Sequence, residues 1–238
     1  AANYGAVTLD DDEITALTER PSEGDFRLFN AGVYALTQDI FGTLDTLSVD
    51  PGELPITHAL QALTDDREHT VPGGRTRTFW MDATHPWDLL SLSRDLLSRG
   101  GIGPSGEDGR YVADTATIHP DATLVGPVVI DSDAVVEAGA VVGPYAAIGE
   151  SATVGAGAVL RDVVIDSDTT VGANTTATEL VVGQGCKLGG ALTASGGPAD
   201  VVLNEQVYSD IALGGVIADR VDIGGDATLE PGALIGPD

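Results

Sequence analysis

Histidine and cysteine, which often act as bases, nucleophiles or metal ligands, are few in this chain of 238 residues. The four histidines are His58, His69, His85 and His119. Their wide separation does not indicate a shared metal site, and His119, which precedes a proline, is more simply explained as a solvated turn residue than as a base. Asp82 by itself is either an exposed strand-end carboxylate or a metal ligand. Individual residues therefore leave the chemistry open until the elements that position them are known.

The chain is strongly acidic, with 37 Asp and Glu against 11 Lys and Arg and a formal net charge of -26. Such a negative field repels phosphate backbones, which argues against a nucleic-acid partner. The carboxylates are scattered through apolar, periodic sequence rather than gathered in a tail. We therefore expect a surface adapted to high salt and a halophilic cytoplasm.

Neither a membrane span nor a signal peptide is expected. No apolar run approaches the roughly 20 residues that a transmembrane helix needs, and residues 1–5 lack the basic and apolar regions of a signal sequence. Cys186 is the single cysteine, which excludes an intramolecular disulfide and favours a reducing, cytoplasmic compartment. Because the chain begins at Ala1 without a methionine, we expect a processed N-terminus or a piece of a longer protein.

In the second half of the chain an aliphatic residue recurs every six positions. The unbroken row is Ile118, Leu124, Ile130, Val136, Val142, Ile148, Val154 and Leu160. Four places after each comes a small or β-branched residue, namely Ala122, Val128, Ala134, Ala140, Ala146, Ala152, Ala158 and Val164. Neither an amphipathic helix, with about 3.6 residues per turn, nor an alternating strand produces this period.

A triangular parallel β-helix explains the period, because three hexads complete one coil and each aliphatic residue points into a narrow prism against like residues of the neighbouring coils. A β-sandwich of alternating strands is the alternative, but it does not account for so long a row at one spacing. Cys186 occupies one of the small inward positions, so we expect it in the core. We predict a parallel β-helix over residues 113–238.

The hexads are interrupted in three places. Five-residue steps occur at Leu160–Val164 and Ala177–Val181. Residues 189–200 break the pattern altogether and predict a loop that leaves the prism. The chain stops at Asp238 in mid-repeat, so a cap for the last coil is expected from missing sequence or from a partner. The hexads are expected to return at Ile211, Ile217, Ile223, Leu229 and Ile235.

Residues 1–100 predict part of an α/β domain, joined to the β-helix by a glycine-rich linker over residues 101–112. They are too short to close a doubly wound sheet. The expected elements are a hairpin from Tyr4–Leu9 and Glu13–Thr18, a strand over Leu28–Leu36, a helix over Leu54–Leu63, a strand over Thr76–Trp80 and a helix over Pro86–Leu97.

Five short motifs in this region resemble, in order, the later motifs of sugar-1-phosphate nucleotidyltransferases. They are Tyr4-Gly5-Ala6-Val7, Thr18-Glu19-Arg20-Pro21, Phe29-Asn30-Ala31-Gly32-Val33-Tyr34, Gly52-Glu53-Leu54 and Phe79-Trp80-Met81-Asp82. Together with the hexapeptide repeats, nearly the whole chain resembles an archaeal bifunctional type: an N-acetylglucosamine-1-phosphate uridylyltransferase joined to a glucosamine-1-phosphate acetyltransferase. The resemblance implies a partial α/β nucleotidyltransferase domain followed by a left-handed parallel β-helix, and a homotrimer.

The resemblance also implies roles for individual residues. Gly5 contacts the sugar, Glu19 accepts a pair of sugar hydroxyls, and Asn30 binds the side of the sugar that carries the 2-substituent. Asp82 helps to hold Mg²⁺, and Arg20, in place of the usual lysine, neutralises phosphate as the candidate catalytic cation. The implied reaction joins a sugar-1-phosphate to the α-phosphate of a nucleoside triphosphate and releases pyrophosphate.

Two departures from the family pattern leave alternatives open. The Gly-rich signature that binds the nucleotide phosphates is expected before residue 1, so the chain as written should be a fragment that is inactive in nucleotidyl transfer. In the β-helix, Ala173 and Thr176 stand where acetyltransferases carry a basic His and a Tyr. An acetyl-CoA-dependent sugar-phosphate N-acetyltransferase is the alternative enzyme, and a non-catalytic trimerisation or regulatory module is the third hypothesis.

The charge leads to a prediction about stability in salt. The melting temperature should rise as KCl is increased from low to molar concentration, and the fold should loosen below roughly 0.5 M salt, because a longer Debye length lets the surface carboxylates repel one another. Circular dichroism at increasing KCl measures this directly. A melting temperature that stays flat or falls with added salt would argue against a halophilic surface.

Overall fold

The computed structural model describes residues 5–19, 27–47, 56–66, 70–100 and 107–237. The chain divides into two compact units, Ala1–Trp80 and Met81–Asp238. None of the described helices is long and apolar enough to span a membrane.

The first unit is a small antiparallel sheet with two helices. Its elements are β1 (Ala6–Asp10), β2 (Glu13–Thr18), β3 (Leu28–Phe29), α1 (Asp39–Thr46) and α2 (Ile56–Asp65). The sheet has the order β2-β1-β3. The predicted hairpin of β1 and β2 is confirmed, and the turn at Asp11, with φ 52°, joins the two strands. Helix α2 confirms the helix predicted from Leu54.

Two strands expected in this unit are shorter or missing. The strand expected over Leu28–Leu36 ends at Phe29, because Asn30 accepts a hydrogen bond from the Gly32 backbone N–H and Gly32, at φ 75°, turns the chain away. The strand expected over Thr76–Trp80 does not form. There the Thr76 hydroxyl accepts the Thr78 backbone N–H at 3.2 Å, a local bond that competes with a ladder.

Helix α1 was not predicted. It has eight residues, contains Gly42, and buries one side chain, Ile40. So short an amphipathic pattern, interrupted by a glycine, gives little periodic signal.

The second unit is a parallel β-helix preceded by one long helix, α3 (Asp88–Arg99), and a short 3₁₀ turn, Glu107–Gly109. Its strands are β4 (Arg110–Val112), β5 (Thr117–Ile118), β6 (Thr123–Leu124), β7 (Val128–Ile130), β8 (Val135–Val136), β9 (Val141–Val142), β10 (Ala146–Ile148), β11 (Thr153–Val154), β12 (Val159–Ile165), β13 (Thr170–Val171), β14 (Thr176–Val182), β15 (Lys187–Leu188), β16 (Thr193–Ala194), β17 (Pro198–Leu203), β18 (Gln206–Ala212), β19 (Gly215–Ile217), β20 (Asp222–Ile223), β21 (Thr228–Leu229) and β22 (Ala233–Ile235). The first strand, β4, lies inside the segment expected as linker, so the β-helix begins earlier than residue 113. Its left hand stays a prediction from the family resemblance.

The strand register confirms three hexads per coil. Arg110 pairs with Val128 and Val128 with Ala146, so these coils advance by 18 residues. Ala146 pairs with Val163 and Val163 with Leu180, so the next two coils advance by 17. The two five-residue steps of the sequence therefore mark two coils that are each one residue short.

The predicted aliphatic row forms the core of the prism. Six of its eight members are buried, with at most 1% of the side chain exposed: Ile130, Val136, Val142, Ile148, Val154 and Leu160. Ile118 and Leu124, in the first coil, are partly buried. Each fully buried aliphatic side chain contributes about 1.5–3 kcal/mol, so the row is the main source of stability of this unit. Cys186 is also buried in this core, as predicted.

The short coils shift the inward positions by one residue. Val163 is fully buried in the prism, whereas Val164, expected there from the hexad count, is only partly buried and packs outside against the cluster around helix α3. The missing residue is taken from the corner, where Asp162 and Glu179 adopt left-handed backbone conformations at φ 51° and 55°.

The loop expected over residues 189–200 is displaced along the chain. Strands β15 and β16 keep residues 187–194 in the coil, and the insertion is instead the antiparallel hairpin of β17 and β18. Gly189 does not begin a loop but allows two coils to stack closely. A Cβ there would lie 2.3 Å from the Gly225 backbone nitrogen. Ile211 belongs to the hairpin, and the hexads return at Ile217.

Helix α3 packs on the outside of the prism. Trp87 and Leu90 bury themselves against Val181 and Val216, outward-facing residues of the coils, and against the hairpin. The sequence analysis assigned this helix to the first domain, whereas its packing places it in the second compact unit. The helix ends at Gly100, whose φ of 66° provides a left-handed C-terminal cap.

Arg94 of helix α3 binds both corner carboxylates of the short coils. Its guanidinium donates to Asp162, at 2.7 Å from Nε, and to Glu179 at 3.2 Å. The hydrogen bond that Arg94 donates to Asp162 raises the pKa of Arg94 above its ordinary value, although burial opposes the charge. The helix is thereby joined to two successive coils at the corner where each lacks one residue.

Two buried threonines give a matched test of the core. Thr169 donates a hydrogen bond to the Gly183 carbonyl at 2.8 Å and accepts one from the Cys186 N–H, whereas the Thr175 hydroxyl has no partner among the described residues. Thr175→Val should raise the stability of the β-helix by about 1 kcal/mol or more, because it removes an unsatisfied buried hydroxyl. Thr169→Val should lower it by about 1–3 kcal/mol. Thermal unfolding of both variants measures this, and equal shifts would contradict the hydrogen-bond assignment.

Loss of Arg94 should weaken the attachment of helix α3. Arg94→Met leaves two partly buried carboxylates without their cation, so we expect a loss of about 2 kcal/mol in the free energy of unfolding. Arg110→Met is the control, because Arg110 pairs with the exposed Asp108 and should cost less than about 1 kcal/mol. Neutralising both carboxylates in the Arg94→Met background should restore part of the loss. Equal effects at Arg94 and Arg110 would contradict the bridging role.

Candidate functional site

The first unit brings together three residues that the sequence assigned to sugar binding. Ala6 pairs with Thr18 on one side and with Phe29 on the other. Because both pairings are antiparallel, Gly5, which precedes Ala6, lies in one row with the residues that follow the two partners, Glu19 and Asn30. A Cβ on Gly5 would lie 3.4 Å from Glu19 Oε2 and 3.5 Å from Asn30 Cβ. The Asn30 backbone N–H donates to the Gly5 carbonyl at 2.8 Å. Residues that are far apart in sequence thus form one cluster.

The Glu19 carboxylate is held from the side by helix α2. Thr57 Oγ1 donates a hydrogen bond to Glu19 Oε2 at 3.0 Å, and Thr57 is only 6% exposed. One turn later on the same helix, Gln61 Oε1 accepts the Leu17 backbone N–H at 2.6 Å. The sequence analysis did not single out Thr57 or Gln61. The available signal was two polar residues four apart, beside the buried Leu60 of the helix.

The orientation of the Asn30 amide is fixed by two hydrogen bonds. Its Oδ1 accepts the Gly32 N–H at 3.0 Å, and its Nδ2 donates to the Tyr34 hydroxyl. Since an amide nitrogen carries two hydrogens, a second N–H remains for another acceptor. Nδ2 lies on the side of Gly5, 3.8 Å from the position of a Cβ there.

This arrangement is suited to a ligand that carries several hydroxyl groups. Glu19 offers carboxylate oxygens as acceptors, Asn30 offers an amide donor, and Gly5 leaves the space that a side chain would occupy between them. A carboxylate at a fixed position accepts a hydrogen bond from one hydroxyl, and an amide N–H at a fixed position donates to another, so the site is sensitive to where the hydroxyls lie around a ring.

The other two predicted site residues, Asp82 and Arg20, stay predictions. Asp82 belongs to the second compact unit, is exposed, and accepts a hydrogen bond from Thr84 Oγ1 at 2.8 Å. Arg20 lies outside the described residues. Within the described ranges, no three His, Cys, Asp or Glu side chains are grouped so that they could hold a metal ion by themselves.

Two of the histidines, His85 and His119, make structural contacts. His85 stacks on Trp87, with ring centroids 4.7 Å apart, and meets the Tyr208 ring edge-on at 4.5 Å. It thereby connects the start of helix α3 to the hairpin of β17 and β18. His119 is exposed at a corner, where its Nδ1 accepts the Asp121 N–H at 3.1 Å, in accord with the solvated turn residue predicted.

The corner of the β-helix where an acetyltransferase base was sought carries small residues. Gly155, Gly172 and Gly189 stack there, and a Cβ on Gly172 would lie 2.5 Å from the Gly190 nitrogen. Ala173 follows in this stack and is exposed, with its carbonyl accepting the Ala191 N–H. A methyl group cannot accept a proton, so this position contributes no base.

Comparison with known proteins gives two family matches along the chain. Residues 1–99 match the model described as nucleotidyl transferase, and residues 124–211 match the model described as GMPPB C-terminal domain. The first match covers the cluster of Gly5, Glu19 and Asn30 as well as Asp82. It ends at the last residue of helix α3, which packs on the β-helix.

Curated relatives are archaeal. A bifunctional sugar-1-phosphate nucleotidylyltransferase/acetyltransferase of Sulfurisphaera tokodaii is 28% identical over 134 residues, which is 56% of this chain and 31% of the relative. The bifunctional protein GlmU of Methanococcus aeolicus is 30% identical over 129 residues, 53% of this chain and 31% of the relative. The low-salt glycan biosynthesis nucleotidyltransferase Agl11 of Haloferax volcanii is 30% identical over 137 residues, 55% of this chain and 34% of the relative.

The matched segments span about a third of the length of each of these relatives. The chain therefore joins a segment that matches the nucleotidyl transferase model to a parallel β-helix, as its motifs predicted, and it is similar in sequence to parts of archaeal bifunctional proteins, one of them a sugar-1-phosphate nucleotidylyltransferase/acetyltransferase.

Proposed function

We propose that this chain is part of a sugar-1-phosphate nucleotidyltransferase and that its first unit binds the sugar. The observation that carries the proposal is the row of Gly5, Glu19 and Asn30, because three motif residues with implied sugar contacts meet at the end of one sheet. Their chemistry fits: a carboxylate, an amide donor and an open position around a hydroxylated ring. The family match of residues 1–99 and the similarity to a sugar-1-phosphate nucleotidylyltransferase/acetyltransferase support the same substrate class.

In the proposed reaction a phosphate oxygen of the sugar-1-phosphate attacks the α-phosphorus of a nucleoside triphosphate. A new phosphorus–oxygen bond forms, the bond to the β-phosphate breaks, and pyrophosphate leaves. Such chemistry depends mainly on positioning the two reactants and on neutralising charge. The role of the first unit is to hold the sugar through Glu19 and Asn30, so that the phosphate of the sugar is oriented towards the triphosphate.

Mg²⁺ is the cofactor that the family implies. Magnesium usually keeps several waters and is bound by one or two carboxylates together with substrate phosphates. A single exposed carboxylate such as Asp82 is therefore suited to be one of its ligands. When bound, the ion neutralises charge on the phosphates. From its place in the motif, Arg20 is proposed as the cation that neutralises the phosphate of the sugar-1-phosphate.

Acetyl transfer from acetyl-CoA to a sugar phosphate is the second candidate. One relative is a nucleotidylyltransferase/acetyltransferase, another is a bifunctional protein, and a β-helix is present here. Ala173 and the stacked glycines at its corner weigh against it, because deprotonation of an amine needs a base.

Assembly into a homotrimer and a cytoplasmic location stay predictions for the whole protein.

The proposal is tested by ligand binding to the 238-residue chain. Isothermal titration calorimetry with α-glucose 1-phosphate and N-acetyl-α-glucosamine 1-phosphate, each with Mg²⁺, should detect binding of at least one of them. Glu19→Gln and Asn30→Ala should each raise Kd about tenfold or more, because each removes a hydrogen bond that involves a charged or preoriented group.

Glu13→Gln is the matched control. Glu13 is an exposed residue at the other end of β2, so the same change of charge there should leave Kd unaltered. If neither sugar phosphate binds, or if Glu19→Gln binds as tightly as the unmodified chain, the sugar-binding function is refuted. Acetylation of glucosamine 1-phosphate by the unmodified chain with acetyl-CoA would instead favour the second candidate.

A further inference from the structure

Helix α2 turns two polar side chains towards the end of strand β2. Thr57 and Gln61 are four residues apart, so they lie one above the other on the same face of the helix. Thr57 reaches the Glu19 carboxylate, and Gln61 reaches the Leu17 backbone N–H. Both contacts therefore act on the last residues of the strand that carries Glu19.

Gln61 closes the outer edge of the sheet. Strand β2 is an edge strand, since the order is β2-β1-β3, and an edge strand presents backbone groups that no neighbouring strand pairs. At its first residues this edge is occupied by the Ile14 N–H bond to the Val71 carbonyl. At Leu17 the Gln61 side chain takes that place, and its Nε2 is itself fixed by Asp65 Oδ1 at 2.7 Å. Helix α2 is thus held in register with the end of the strand.

Thr57 has a different consequence, because its partner is a side chain of the candidate site. Glu19 lies just beyond the strand and is exposed, so its carboxylate would otherwise sample several rotamers. Ordering such a side chain on ligand binding has an entropic cost. The buried Thr57 hydroxyl donates at 3.0 Å to Glu19 Oε2, and this same oxygen lies 3.4 Å from the position of a Cβ on Gly5, so the bond holds the carboxylate beside the open position.

We propose that Thr57 is a positioning residue, which holds the Glu19 carboxylate in the rotamer that receives the sugar hydroxyls. The role rests on the proposed sugar-binding function, and it assigns to helix α2 a part in ligand recognition that is separate from its packing. Thr57 acts through Glu19, so its effect on affinity depends on the presence of the carboxylate.

A double-mutant cycle with the 238-residue chain tests this dependence. Thr57→Val should raise Kd for the bound sugar phosphate about tenfold, and Thr57→Ser, which keeps the hydroxyl, should restore affinity to within about threefold of the unmodified chain. In the Glu19→Gln background, Thr57→Val should add little further loss. A full second loss in that background, or no loss from Thr57→Val alone, would overturn the positioning role.

Thr64→Val is the matched control for the substitution itself. Thr64 lies on the same helix, and its hydroxyl bonds to the Leu60 carbonyl of that helix rather than to the site. The variant should bind the sugar phosphate as the unmodified chain does. A loss equal to that of Thr57→Val would mean that the affinity responds to helix stability and not to the Glu19 contact.

Side-chain couplings of Glu19, measured by NMR without ligand, separate this proposal from the sugar-binding function. They should show one dominant rotamer in the unmodified chain and in Thr57→Ser, and rotamer averaging in Thr57→Val and Thr57→Ala. If no sugar phosphate binds but this pattern holds, the proposed function fails while Thr57 still positions Glu19. If Glu19 is already averaged in the unmodified chain, the positioning role is wrong, even should the Thr57 variants fail to fold.

Discussion

The second unit depends on one constraint: each coil must place its inward aliphatic residue directly above that of the coil before it. Parallel backbone pairing between coils fixes the rise, and a prism this narrow admits a large side chain only where the next position is small. The pairs Ile130–Ile148 and Ile148–Ile165 show how strictly this holds. When a coil loses a residue, the loss is taken from a corner, so the buried row continues without a gap.

That solution has consequences outside the prism. The shortened corners put Asp162 and Glu179 in left-handed conformations on the same edge of two successive coils, where one guanidinium, that of Arg94, bonds to both. The outward residues beside them, Val164 and Val181, become the surface on which helix α3 rests. A local change in coil length is therefore converted into a docking position for a helix that the family match assigns to the nucleotidyltransferase segment.

The candidate sugar site rests on a different physical arrangement. An antiparallel ladder places residues that are distant in sequence side by side, and Gly5, Glu19 and Asn30 all lie one step beyond a paired residue. The strands supply the row, whereas the orientation of each functional group comes from side chains behind it: Thr57 for the carboxylate, and Gly32 with Tyr34 for the amide. For the proposed recognition of a hydroxylated ring, this arrangement supplies fixed donors and acceptors and not charge alone.

The sequence by itself determined the β-helix, the number of hexads per coil and the two short coils, because a six-residue period runs through the second half of the chain and is visible without any contact. It also named Gly5, Glu19 and Asn30, through short motifs in a fixed order. Only the tertiary structure decided that Gly189 stacks within a coil, that Thr76–Trp80 is not a strand, and that helix α3 packs on the β-helix. Likewise, Thr57 and Gln61 could not be recognised in advance. Their roles depend on which strand end lies opposite a helix face, and that pairing joins residues about 40 positions apart, beyond any local pattern.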